Sequence, residues 1–183
     1  MKILIIGSSG AVGSSIYNEL IKNKTNKIYG TVRNKASFLK AYPKALKKNI
    51  FEIDLKADNI RLNHKNFDIV ISAAAITPGK SEDFEDNKFI AKGIIKLLKG
   101  ISFRSFFFLS TGSVYQNSFG DKKEDAIKTS SGYGLSILEY EEILKREFKK
   151  VNILRLFYVY GTKNNDKTLI STIRKKICNK QNI

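Results

Sequence analysis

Lys2-Ile3-Leu4-Ile5-Ile6-Gly7-Ser8-Ser9-Gly10-Ala11-Val12-Gly13 runs from an apolar stretch straight into three glycines spaced three apart. The apolar run predicts a strand buried on both faces. Gly7 then allows a sharp turn, Gly10 leaves room against the main chain, and Gly13 lets a following helix pack closely on the strand. Ser9, Ala11 and Val12 complete the loop and the first helical turn, whose unpaired N–H groups and positive dipole end suit phosphate groups. A Gly-x-x-Gly-x-x-Gly run carries weight only between a strand and a helix, and both are expected here. The stretch reads as a site for the pyrophosphate of a dinucleotide, with a purely structural turn as the other reading.

Outward from that turn, short β-rich runs alternate with helical patterns, the order expected of a parallel sheet covered by helices. Strands are expected at Lys2–Ile6, Lys27–Val32, Asn49–Ile53, Asp68–Ala73, Ser105–Ser110 and Val151–Phe157. Val12, Ile16 and Leu20 fall at helical spacing, and Ile90, Ile94, Leu97 and Leu98 make a second apolar stripe. A third helix is predicted from Tyr133 to Lys149, with Leu138, Ile143 and Leu144 inward, and a last one at Asp166–Cys178. Pro43 and Pro78 belong to loops. Together these predict an α/β doubly wound parallel sheet whose ligand crevice lies at the carboxyl ends of the strands.

The 183 residues fit one domain with a proper core. No apolar run approaches the roughly 20 residues that span a bilayer, and the first strand begins too early to leave room for a secretory leader. The expected location is the cytoplasm, with no membrane partner. Cys178 is the one cysteine and reads as incidental; no Cys/His cluster suggests a metal site. His64, the one histidine, sits in a polar stretch, which argues against histidine-based catalysis. The 33 basic residues outnumber the 17 acidic ones, for a net charge of +16. Such a balance suits nucleic acid, a membrane surface or an anionic substrate. Here lysines outnumber arginines and are spread over every predicted helix, so nucleic-acid binding is not expected.

The second strand ends Gly30-Thr31-Val32-Arg33-Asn34-Lys35, without the carboxylate that usually meets an NAD ribose. Arg33, with Lys35, instead suits a 2′-phosphate, which favours NADP over NAD as the cofactor. Asp54-Leu55 follows the third strand and suits an adenine contact or a turn cap. Ala73, Ala74 and Ala75 end the fourth strand with side chains small enough for a flat cofactor. Beyond the fifth strand, Ser110-Thr111-Gly112-Ser113-Val114-Tyr115 puts several hydroxyls at the expected crevice, and Tyr133-Gly134-Leu135-Ser136 opens the third helix.

These segments, taken in order over residues 1 to about 165, resemble the extended short-chain dehydrogenase/reductase family, in its nucleotide-sugar epimerase/dehydratase branch. The resemblance rests on Gly7, Gly10 and Gly13, on Asp54-Leu55 and on Ser72–Ala75. It continues through Ser110–Tyr115, Tyr133–Ser136 with Glu141, and Ile153–Gly161. It implies a Rossmann domain over 1–165, a nucleotide-sugar substrate, and NAD(P)-dependent hydride transfer in carbohydrate biosynthesis. Tyr133 would be the acid/base, Thr111 would orient the sugar, and Ser110 and Ser113 would support them. Dimerisation would use the helices after the fourth and fifth strands.

Two departures matter. Where the family has a lysine four residues beyond the tyrosine, this chain has Ile137. A tyrosine without that cation has a pKa of about 10, so at pH 7 only about one in a thousand is ionised. Gln116 and Tyr158 also replace the family's usual glycine and asparagine. The second departure is length: the family's C-terminal substrate region is expected to be largely absent, with 166–183 only its start. The chain would then be a natural truncation, a fragment of a longer chain, or a cofactor-binding module, a homodimer or a partner chain supplying the substrate region. The competing expectation is a catalytically impaired dinucleotide-binding protein or remnant.

Overall fold

The computed structural model describes residues 1–78, 84–115, 127, 129–160 and 169–179. Its strands are β1 (Lys2–Ile6), β2 (Lys27–Val32), β3 (Ile50–Glu52), β4 (Ile69–Ser72), β5 (Ser105–Thr111) and β6 (Val151–Leu156). They form one sheet in the order β3-β2-β1-β4-β5-β6, with every pairing parallel. The helices are α1 (Ala11–Leu20), α2 (Lys35–Ala41), α3 (Asp86–Lys99), α4 (Gly132–Glu147) and α5 (Leu169–Cys178). Strand order reverses at β1, between β2 on one side and β4 on the other, and that reversal opens a crevice at the carboxyl ends.

The expected doubly wound sheet is present, with β1 and β2 at the predicted bounds. The other strands differ by one residue at one or both ends. Helix α2 was not anticipated. It is only seven residues long, too short for a helical stripe to show, and starts where the Asn34 side chain accepts from Ser37 N at 2.8 Å. The expected boundary at residue 165 lies outside the described residues, as do Gln116 and the start of the Asp166–Cys178 segment.

Both faces of the central strands are covered, which is why β1 reads as unbroken apolar sequence. Leu4 and Ile6 point to one face, packing with Val70, Phe106, Phe108 and the helices α3 and α4. Ile3 and Ile5 point to the other, against Tyr17 of α1 and Phe38 of α2. Tyr17, rather than the predicted Ile16, is the most deeply set apolar side chain of α1, and it meets the Phe38 ring edge-on at 5.3 Å. On α3 and α4 the predicted stripes are inward: Ile94, Leu97, Leu98, Ile143 and Leu144 are buried and Leu138 is partly so.

Tyr140 links this core to the crevice. Its ring packs on Phe108 at 4.4 Å and its hydroxyl donates to Ala74 O at 3.2 Å. Complete burial pushes its ionisation far above the ordinary value. A phenol kept neutral by the fold contributes stability below about pH 10, and that contribution is lost as pH rises further. Thermal unfolding from about pH 8 to about pH 11 should therefore show a falling Tm at the alkaline end. The fall should be shallower in Tyr140→Phe, which at the lower pH costs only about 1 kcal/mol for the lost hydrogen bond. Parallel curves would remove Tyr140 as the cause.

Candidate functional site

At Gly7 and Gly13 the turn is built by contacts that no other residue allows. Gly7 has φ 83°, a left-handed conformation, and its N–H donates to Thr31 Oγ1 at 3.2 Å. A Cβ on Gly13 would stand 2.3 Å from Gly7 O, so the helix sits against the turn only with glycine there. A Cβ on Gly10 would meet nothing nearer than Gly7 O at 3.5 Å, which leaves free space beside the backbone. Gly10 also caps α1 without a side-chain hydrogen bond, which leaves the first N–H groups of the helix without a capping side chain from that position.

That turn forms one wall of a cleft of about 480 Å³. Gly7, Ser9 and Gly10 face Thr31–Arg33 from the end of β2, Ile53–Lys56 after β3 and Ala73–Ile76 after β4. Asp86 and Ile90 of α3 close it. The structure thus gathers Gly7, Ser9, Gly10, Arg33, Asp54, Leu55, Ala73, Ala74 and Ala75 at one place, while Ala11, Val12 and Gly13 form the helical turn behind them.

Three features of the walls were not legible in the sequence. Lys56 Nζ pairs with Asp86 Oδ2 at 2.5 Å, tying the loop after β3 to α3. Glu52, paired in register with Val32, brings a carboxylate to the end of β2; it accepts from Lys35 N at 2.6 Å. Asn87 is fully buried; its Oδ1 accepts from Ile76 N at 2.7 Å and its Nδ2 donates to Ile76 O at 3.1 Å. Nδ2 also lies 3.1 Å from Ser136 Oγ, so one amide ties the loop after β4 to α4. The available signal was a polar residue on the inward stripe of α3, four before Ala91.

The hydroxyl cluster lies at the next strand end rather than in the lining of the cleft. Thr111 Oγ1 accepts from Ser113 N and donates to Ser113 Oγ, both at 3.2 Å, and hydrogen-bonds Tyr133. The Tyr133 ring stands 5.3 Å from Phe84. Burial pushes the Tyr133 phenol above its ordinary value, and the bond with Thr111 offsets only part of that. One turn along α4, Ile137 is 1% exposed and belongs to the core, so an apolar side chain stands below the phenol.

Ser110 is turned the other way. Residues alternate along β5, and Ser110 shares the buried face with Phe106 and Phe108, opposite Thr111. Its hydroxyl donates to Glu141 Oε1 at 2.5 Å, which commits it to the interior rather than to the crevice. Glu141 is fully buried and gripped bidentately by Arg155, Nε to Oε1 at 3.0 Å and Nη2 to Oε2 at 2.7 Å. Those bonds hold the guanidinium above its already high ordinary pKa. Arg155 Nη1 donates to the Tyr115 hydroxyl at 2.8 Å, and the Tyr115 ring stacks on Phe157. A buried carboxylate thus joins β5, α4 and β6 directly behind Thr111 and Tyr133.

Removing one partner of such a pair strands the other charge. Arg155→Met should cost about 3–5 kcal/mol in denaturant unfolding, and adding Glu141→Leu should recover most of it. A double variant no more stable than the single one would show that the pair carries little of this junction.

No group of His, Cys, Asp and Glu side chains able to hold a metal ion occurs among the described residues, and no helix among them is long and apolar enough to cross a membrane. A protein described as an uncharacterized UDP-glucose epimerase, YtcB of Bacillus subtilis (strain 168), is 29% identical over 187 residues, covering 88% of this chain and 57% of its own length. Among solved structures, UDP-glucuronic acid 4-epimerase from Bacillus cereus in complex with NAD superposes with a TM-score of 0.79 at 23% identity, covering 99% of this chain. UDP-N-acetylglucosamine 4-epimerase from Methanobrevibacter ruminantium M1, in complex with UDP-N-acetylmuramic acid, gives 0.79 at 20% identity and covers 98%. At these identities the superpositions speak for the fold. The chain spans 57% of the curated relative and 64% and 63% of those two solved chains. A family profile described as NAD dependent epimerase/dehydratase matches residues 3–183. That match takes in the glycine turn, the Thr111 strand and the Tyr133 helix alike, and the chain belongs to the NAD dependent epimerase/dehydratase family.

Proposed function

We propose that this chain binds a nicotinamide dinucleotide in the glycine cleft and that Tyr133 and Thr111 act on a nucleotide-sugar beside it. The observation that carries the reading is the space at Gly10. A pyrophosphate needs backbone it can approach closely, and Gly7, Gly10 and the uncapped start of α1 supply it on the wall of a 480 Å³ cleft. Small side chains at Ala73–Ala75 leave a flat opposite wall. Solved relatives are described as complexes with NAD, which agrees with the class of cofactor.

Our choice between the two dinucleotides is NADP. Arg33 is exposed and lines the cleft at the end of β2, and Glu52, the carboxylate near it, is already engaged by Lys35 N. A free guanidinium suits a 2′-phosphate, which it can grip with two parallel hydrogen bonds.

When bound, the nicotinamide supplies the hydride donor or acceptor. Thr111 would orient the reacting sugar oxygen by a hydrogen bond, with Ser113 steadying its hydroxyl. Tyr133 would exchange a proton with that oxygen through its phenol. The elevated phenol pKa keeps Tyr133 protonated at neutral pH, so proton donation to a carbonyl is the easier direction. Ile137 supplies no cation to favour the phenolate, and proton abstraction from an alcohol is correspondingly slow. A homodimer through α3 and α4, or a partner chain, belongs to this reading.

The same burial of Ile137 favours a second reading, a dinucleotide-binding protein that does not turn over. Calorimetric titration with NADPH and NADH in parallel tests the cofactor claim: NADPH should bind at least tenfold more tightly, and Arg33→Ala should remove the difference. Tighter binding of NADH would contradict the role of Arg33. In a second assay UDP-glucose is supplied with each cofactor. Cofactor binding without turnover in the wild type, and turnover in a folded Ile137→Lys variant, would decide for the second reading.

A further inference from the structure

The parallel sheet separates charge as well as chemistry. All first residues of the strands share one edge of the sheet and all last residues share the other. At the cleft edge the charges balance, with Arg33, Lys35 and Lys56 against Glu52, Asp54 and Asp86. The opposite edge is different: five of the six strands start at, or within two residues of, a cation. Lys2 and Lys27 open β1 and β2, Lys48 precedes β3, Arg104 precedes β5 and Lys150 precedes β6, while β4 follows Asp68 directly, with Lys65 four residues before its start. Lys47 and Lys149 double the row at its two ends, and all of these but Lys2 are exposed. At about 4.8 Å per strand, six strands spread this row over roughly 24 Å.

Little at that edge offsets the charge. Asp68, just before β4, is already engaged by Lys2 N at 2.8 Å and by Arg104 at 3.6 Å. Glu147, at the end of α4, pairs with Lys99 at 2.8 Å. Lys27, Lys48, Lys65 and Lys150 form no ion pair with a described residue. Lysines in the last turns of α2, α3 and α4 are accounted for by the negative ends of those helices. Lys149 and Lys150 lie just beyond the end of α4, and Lys47 and Lys48 in a single 3-10 turn, but Lys2, Lys27, Lys65 and Arg104 stand away from any helix end, where that explanation does not reach.

Two apolar side chains stand out among them: Met1 is 61% exposed and Leu46, just before Lys47, is 59% exposed. Cations around exposed aliphatic side chains at one edge suit the interface of an anionic bilayer, where charge attracts and apolar groups insert. A nucleic-acid strand fits less well. Among the described residues, the exposed large side chains at this edge include no aromatic ring on which a base could stack, and its cations are mostly lysines, which lack the arginine fork.

We propose that the strand-start edge, opposite the cleft, is a contact surface for anionic lipid, holding the protein on a bilayer without spanning it and leaving the cleft facing away. Each cation held near such a surface changes partitioning about fivefold.

The test is co-sedimentation of the full chain with vesicles of phosphatidylcholine, with and without about 30% phosphatidylglycerol. Binding should require phosphatidylglycerol and fall more than tenfold between about 0.05 M and about 0.5 M salt. Lys27→Gln, Lys48→Gln and Lys150→Gln combined should lower it more than tenfold. Lys88→Gln and Lys92→Glu combined, which remove the same three units of charge elsewhere, should change it less than threefold. Leu46→Ser should weaken what binding remains at the higher salt. Equal losses in the two charge-matched variants would overturn the proposal, because net charge alone would then explain the binding. Failure to bind phosphatidylglycerol vesicles would overturn it, as would tighter binding to a duplex DNA through the same three lysines. Far-UV circular dichroism of each variant separates a lost surface from a lost fold.

Discussion

The carbonyl oxygen of Gly7 lies so close to Gly13 that no side chain can stand between them, and the rest of the site depends on that approach. It sets how near α1 comes to the end of β1, and therefore where the helix N-terminus points. The left-handed backbone at Gly7 is part of the same constraint, since it turns the chain sharply enough for α1 to fold back onto the sheet. The turns after β2, β3 and β4 reach the same cleft because their strands are parallel to β1 and hydrogen-bonded in one sheet. Neither the glycines nor the sheet would make the cleft alone.

Helix α4 serves two purposes at once. Its first turn carries Tyr133 to Thr111, and its middle carries Glu141 into the interior, where Arg155 and Ser110 hold it. Between them lies Ile137, which belongs to the core. A buried charge pair and an apolar residue thus occupy neighbouring turns of the helix, and only the charge pair is satisfied by partners from three elements. The tyrosine stands between an apolar floor and a single hydroxyl partner. An environment of that kind favours a neutral phenol.

Much of the fold was legible because its signals are local. β1 and β2 were recovered at their full bounds from β-rich sequence and the turn that follows each, and the stripes on α3 and α4 from helical spacing. The cleft residues were legible too, since strand ends in a doubly wound sheet converge at one edge. What escaped depended on contacts between distant segments. Glu52 approaches the end of β2 only through the β2–β3 register, and Asn87 meets Ile76 and Ser136 only once α3 and α4 are packed. Ser110 sat in a hydroxyl-rich run, and nothing local told its direction from that of Thr111; the alternation of β5 against a buried carboxylate decided it. Helix α2 was missed for its shortness, and Tyr17 because the stripe drawn through Ile16 and Leu20, which both pack against the core, runs beside it.

The claim on which the account turns is that the cleft at the glycine turn receives the dinucleotide. Its most direct test is a pair of ¹H–¹⁵N correlation spectra of the labelled full chain, recorded without and with NADPH. The account predicts shifts concentrated at Gly7–Gly13, Arg33, Asp54–Lys56 and Ala73–Ile76, with the strand-start edge unchanged. Spectra that do not respond to a saturating concentration, or shifts confined to residues away from the glycine turn, would contradict it.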